Sequence, residues 1–174
     1  MTKLLTIGAM MGLLACASAD GSNPGGSSGP PCTFMLSGGT AGSYGCTIRY
    51  AIWSDTDDTG TVMFGYGYTG QTTPVITASF NFPGAPATGT LTETSPDAGV
   101  TTRINVTSGS AAWAATEAAS APTTGTYTLT VTSAVLVNSL SDRDIYGITG
   151  TLDAMLPPVA QTSATGDVTL HLGF

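Results

Sequence analysis

The sequence predicts an all-β fold: a single antiparallel β-sandwich, with barrel-like closure as the alternative way of finishing the sheet. Three observations carry the prediction. Short runs rich in Val, Ile, Thr and aromatic residues recur at intervals of about ten residues between Gly, Pro and Asp clusters, the rhythm of sandwiches and barrels. The 174-residue chain holds 31 threonines, 23 glycines and 10 prolines, and β-branched threonine suits both a packed and a wet strand face. Helical Leu-Glu-Lys-Ala patterning is scarce, and only 9% of residues are charged. Thr, Ser, Gly and Asn must therefore supply most of the polar surface.

The first element is not part of that fold. Met1-Thr2-Lys3 is a short positive start, and Leu4 to Leu14 forms an apolar run of eleven residues. A bilayer span needs about 20 residues, so the run fits the hydrophobic region of a signal peptide instead. Two cleavage patterns compete behind it. Ala17-Ser18-Ala19 fits the small-x-small rule, which would make Asp20 the first mature residue. Leu13-Leu14-Ala15-Cys16 resembles the lipobox of bacterial lipoproteins, although Leu14 is larger than the residue usual there.

The resemblance implies that residues 1–15 are removed, that the Cys16 thiol receives a diacylglycerol, and that the new amino group is acylated as well. Ala17 after the cysteine, rather than Asp, implies sorting to the outer membrane of a Gram-negative cell. Two or more acyl chains make membrane residence long-lived, whereas one does not. Residues 16–31 continue as a lipid-anchored tether rich in Gly, Ser and Pro, with an r.m.s. reach of roughly 20 Å if flexible. Acylation of Cys16 leaves an even pair, Cys32 and Cys46. In an exported protein a disulfide is the default, and closing a loop of this size contributes about 3 kcal/mol in the chain-entropy model. A metal site is the alternative, but two cysteines and one distant histidine supply too few ligands.

Residues 32–174 form the sandwich domain. "CTFMLSG" from Cys32 reads as its first strand. "SYGCTIRYAIWS" follows, with Tyr44, Cys46, Ile48, Tyr50 and Ile52 on one face and Arg49 and Trp53 on the other. "DTDDTG" is a turn, and "TVMFGYGY" continues with Val62, Phe64, Tyr66 and Tyr68 in period two. "PVITASFNF", "TGTLTETS", "VTTRINVTS", "GTYTLTVTSAVLV", "YGITGTLDAML" and "GDVTLHLGF" complete the strands. "SAAWAATEAAS", Ser110 to Ser120, is ambiguous: alanine favours a helix, but Trp113, Ala115 and Glu117 also fit a strand, and strand or loop is preferred.

The formal charge is −7. Without Lys3, three arginines stand against eleven acids, which leaves −8 for the mature chain. Such a chain cannot displace counterions from a phosphate backbone, so a nucleic-acid partner is excluded. A basic patch cannot dock it to an anionic membrane either, so membrane partnership must run through the N-terminal lipid. Envelope proteins or glycans remain the possible further partners.

Candidate chemistry is sparse. Asp55, Asp57 and Asp58 begin like an oxygen-rich calcium loop, but the twelfth position counted from Asp55 is Tyr66, where an EF-hand needs an acid. A solvated hairpin turn is the favoured reading. "SDRD", Ser141 to Asp144, supplies more carboxylates, with Arg143 expected to pair with acids. Phe64, Tyr66 and Tyr68 opposite Gly65 and Gly67 admit a sugar-stacking face, with Tyr66 and Tyr68 as its ligand-face candidates. Core packing, with the glycines under a crossing aromatic, is the favoured alternative. His171 is the single histidine, and no G-x-S-x-G accompanies it. Glu93, Glu117 and Asp153 lie on or near strands, but nothing in their spacing selects them as a catalytic pair. No cofactor is expected, since neither a P-loop nor a dinucleotide fingerprint occurs. Asn105-Val106-Thr107 matches a glycosylation pattern by coincidence. The leading expectation is a membrane-tethered, non-catalytic envelope lipoprotein with a structural or binding sandwich. A carbohydrate- or calcium-binding surface module is the alternative, and a secreted hydrolase the third.

Overall fold

The structure, a computed structural model, describes residues 31–68, 70, 73–94, 99–118 and 121–174. The expected leader and the tether up to residue 30, Cys16 included, lie outside the described residues. Twelve strands follow in chain order: β1 (Thr33–Gly38), β2 (Gly42–Gly45), β3 (Ile48–Ser54), β4 (Thr59–Tyr66), β5 (Val75–Pro83), β6 (Gly89–Thr92), β7 (Thr101–Ser108), β8 (Ala111–Ala118), β9 (Ala121–Thr124), β10 (Thr126–Ser139), β11 (Asp144–Leu156) and β12 (Val168–Gly173). No helix occurs among the described residues, and the all-β expectation holds. The ambiguous stretch at 110–120 is strand β8, with Trp113 and Ala115 buried.

Every ladder is antiparallel. The strands run in the order β2-β1-β12-β11-β3-β4-β5-β7-β8-β9, with β10 on the second edge of β11 and β6 beyond it. The path does not return on itself, so the sheet is a folded sandwich and not a closed barrel. Strand β11 makes the fold. Its first residues, Asp144–Tyr146, pair with β3, whereas Thr151–Leu156 pair with β12. One long strand thus belongs to two layers, β6-β10-β11-β12-β1-β2 and β3-β4-β5-β7-β8-β9. At the far corner Ala114 N–H donates to the Pro157 carbonyl and Val159 N–H to Ala112, which draws β8 toward the end of β11.

The core lies between these layers because the strands alternate as period two demands. Val62 and Phe64 of β4, Ile76, Ala78 and Phe80 of β5, and Ile104 and Val106 of β7 face Leu152 of β11, Leu170 and Leu172 of β12 and Phe34 of β1. Rings join the layers: Phe64 lies 4.4 Å from Phe174 and Phe80 lies 5.7 Å from Tyr127, centroid to centroid. The C-terminal residue is therefore a core residue, and it exchanges both backbone hydrogen bonds with Gly150. Gly150 has a clear geometric reason, since a Cβ there would lie 2.0 Å from the Thr130 carbonyl oxygen.

The run keeps the two sides expected of it, Ile48, Tyr50 and Ile52 on one and Arg49 and Trp53 on the other, with Ala51, opposite Phe64, Val62 and Gly60 of β4. On that second side Ala51 is buried, whereas Arg49 is exposed. The run is not one strand: β2 pairs with β1 in one layer, and after Cys46 and Thr47 the chain crosses to pair with β4 in the other. Crossing between layers resets which parity faces the core.

Candidate functional site

The corner where the chain changes layer is held by the Cys32–Cys46 disulfide, with Cα atoms 5.3 Å apart. Cys46 N–H donates to the Cys32 carbonyl at 2.9 Å, so the β1–β2 ladder extends one residue before Thr33. The expected pairing of these two cysteines is present.

Just inside the same corner, sequence reasoning missed the role of Arg49. Between Tyr146 and Thr151, β11 has left β3 and not yet met β12. The Arg49 guanidinium donates there to the Ile148 carbonyl, and burial holds its pKa below the ordinary arginine value. A backbone acceptor at a fork needs such a partner. The non-local fork that employs it was invisible in the run.

The acidic turn joins β3 to β4, as the hairpin reading expects. Its carboxylates do not converge. Asp58 takes a left-handed backbone (φ 51°) and accepts from Trp53 Nε1 at 3.0 Å, while Thr56 Oγ1 lies 3.4 Å from Asp55 Oδ1. Among the described residues no three His, Cys, Asp or Glu side chains gather in a way that could hold a metal ion. Arg143 pairs within its own turn, with Asp142. That hydrogen bond holds the Asp142 carboxyl below the usual carboxylate range.

The aromatic row is broken up by depth. Phe64 is fully buried and Tyr66 half-buried, stacked at a tilt against Tyr44 with centroids 4.9 Å apart. Tyr68 lies beyond the end of β4 and is exposed. Tyr66 and Tyr68 therefore do not form a flat platform of two exposed rings. Gly65 lies under Ile48 and not under an aromatic ring.

His171 sits on β12, an interior strand of its layer, directly opposite Asp153 of β11. Its Nδ1 is 2.6 Å from Asp153 Oδ1, and both side chains are solvent-accessible. The cross-strand row continues to Met35 on one side and to Thr128 and Thr92 on the other. The next row brings Thr90, Thr130 and Thr151 side by side. This outer face is a threonine surface with one His–Asp pair on it, and among the described residues no hydroxyl or thiol is hydrogen-bonded to the second ring nitrogen. The pair was not legible because 18 residues separate its members.

A cavity of about 440 Å³ opens between the end of β5, the loop to β6, and β10. Val62, Leu129 and Val131 form its floor, Leu91 and Pro86 its rim, and Thr88 and Thr90 bring its hydroxyls. Among the described residues none that lines it is ionisable, and what these residues offer is shape and apolar contact. The last feature is an apolar tip. Alternation in β10 stops at Val131, and Val135, Leu136 and Val137 are exposed by 59%, 51% and 57%, with Leu140 at 49%. The consecutive "AVLV" in the sequence is the signal that could have found it. Comparison with protein-family models, with curated proteins and with solved structures finds no match to this chain.

Proposed function

We propose that this chain is a lipid-tethered, non-catalytic β-sandwich of the cell envelope, exported and anchored at the outer membrane, with a structural or binding role. The observation that carries the reading is the fate of the cysteines. Two of the three are joined in the disulfide, and the third, Cys16, ends the apolar run within Leu-Leu-Ala-Cys. An acyl acceptor at that position and a stapled domain behind it form one consistent design. The chemistry of the domain supports the non-catalytic part. Its His–Asp pair lies on an open sheet face, and none of the described residues that line its cavity titrates. The glycan-binding alternative is left with Tyr68 as the one exposed ring of its two candidates, and the calcium alternative with carboxylates that, among the described residues, form no group of three.

The intact mass of the mature protein from its native host tests the reading. The expected mass is that of a chain beginning at Cys16, carrying a diacylglyceryl group and an amide-linked fatty acid, less two hydrogens for the disulfide. A mass beginning at Asp20 with no lipid would remove the anchor and the address with it.

A further inference from the structure

We propose that the tip of the β10–β11 hairpin is a second, shallow membrane contact, seated on the electrically neutral lipid surface that holds the Cys16 anchor. The proposal rests on the anchored reading above and adds the orientation of the domain to it.

The tip has the composition such a contact needs. From Ser133 to Leu140 no residue is charged, and Val135, Leu136, Val137 and Leu140 are each about half exposed or more. Strand β6 covers only Thr128–Val131 of the outer edge of β10. Beyond Val131, among the described residues, that edge has no ladder partner. A hairpin with apolar side chains and an open edge at its tip is a liability in water.

The direction of the tether indicates what covers it. Thr33 of β1 is level with Gly173 of β12, and Gly173 with Thr151 of β11. Strands β1 and β11 run the same way, so the chain preceding Thr33 heads back along β11 toward Asp144. The Cys46-to-Cys32 hydrogen bond shows it continuing so for one more residue. Asp144 pairs with Ser139 at the hairpin end, so tether exit and apolar tip face the same pole.

The distances agree. From the level of Thr151 to that of Asp144 is seven residues, roughly 23 Å at strand rise. Cys16 and Cys32 are sixteen residues apart, a segment that spans at most about 56 Å when fully extended. A flexible coil of that length would have an r.m.s. reach of roughly 20 to 24 Å. The anchor therefore holds the lipid surface near the plane that the tip reaches.

Electrostatics select the kind of surface. Trp53 is opposite Asp144, so the Asp55–Asp58 turn lies at this pole beside Asp142 and Asp144, with Arg143 already engaged by Asp142. These carboxylates oppose an anionic bilayer by the reasoning that draws basic segments to one. A zwitterionic surface imposes no such opposition. Area argues against a second copy, since four partly exposed side chains fall short of the roughly 1,200 Å² of a standard protein interface. The same patch suffices for a bilayer already held close by the anchor, because tethering makes the second contact intramolecular.

Amide hydrogen exchange tests this on the lipidated protein in phosphatidylcholine vesicles, beside vesicles containing phosphatidylglycerol at low salt. On phosphatidylcholine, amides of residues 133–143 are expected to exchange at least about tenfold more slowly than on the anionic vesicles. The Val135→Ser/Leu136→Ser/Val137→Ser variant is expected to lose that protection while still floating with the vesicles. Its melting temperature serves as the folding control, since all three side chains face solvent. Flotation with equal exchange in every sample overturns the docking alone. Protection that rises with protein density and persists on anionic vesicles assigns the tip to a second copy and overturns it too. Failure of the parent protein to float overturns the anchor, and the docking proposal falls with it.

Discussion

Arg49 shows how much a single side chain can mean at a fork. It stands on β3 between a buried Ala51 and the corner disulfide, itself exposed, and donates to the Ile148 carbonyl where β11 passes from one neighbour to the next. Arg49→Met keeps the aliphatic stem and removes the donor. The expected cost is about 1 kcal/mol, the net contribution of one part-buried hydrogen bond, read as a lower urea midpoint at unchanged slope. An unchanged midpoint would mean that water satisfies the carbonyl equally well. Trp113 plays a related part at the opposite corner, where its indole is buried and donates to the Gly166 carbonyl at 2.8 Å. The indole's burial was legible as a strand-face residue in a short alanine-rich run. Its hydrogen bond was not, because the acceptor lies 53 residues away.

Among the elements, the short β1–β2 hairpin depends most on a covalent tie. Strand β2 has four residues and, among the described residues, pairs with β1 alone, too little for independent stability. The Cys32–Cys46 bond closes a loop with a sequence separation of 14. Cys32→Ala/Cys46→Ala is expected to lose about 3 kcal/mol in equilibrium unfolding, the chain-entropy value for this loop. A loss below about 1 kcal/mol would show that the unfolded chain is already compact there. Strands such as β7 and β12 could be read in advance because burial alternates along their length, and β4 and β5 because it does so over all but their last residues. The run that holds β2 and β3 was read as one strand because the layer crossing hides within an unbroken apolar pattern. The outer half of β10 was read as ordinary strand because nothing local says that its neighbour β6 ends at Thr92.

For the whole molecule, composition and turn spacing sufficed for the class, a two-layered antiparallel sandwich, but not for its order. Order here depends on pairings between distant strands, and periodicity carries no information about which strand neighbours which. The extreme case is β1 with β12, where Phe34 lies opposite Leu172. Such topology predicts slow folding, since the entropy of closing long loops must be overcome before their contacts form. Refolding of the oxidised domain from denaturant is expected in the range of about milliseconds to seconds. Microsecond refolding would imply that a local hairpin nucleus outweighs the long-range register.

The embrace of the opening strand by the closing one has a consequence for biogenesis. During synthesis Thr33 to Gly38 can find β2 but not the partner on their other flank, because Val168 to Gly173 are the last of the twelve strands to be made. Until then the earliest of the twelve stays matched along one flank alone.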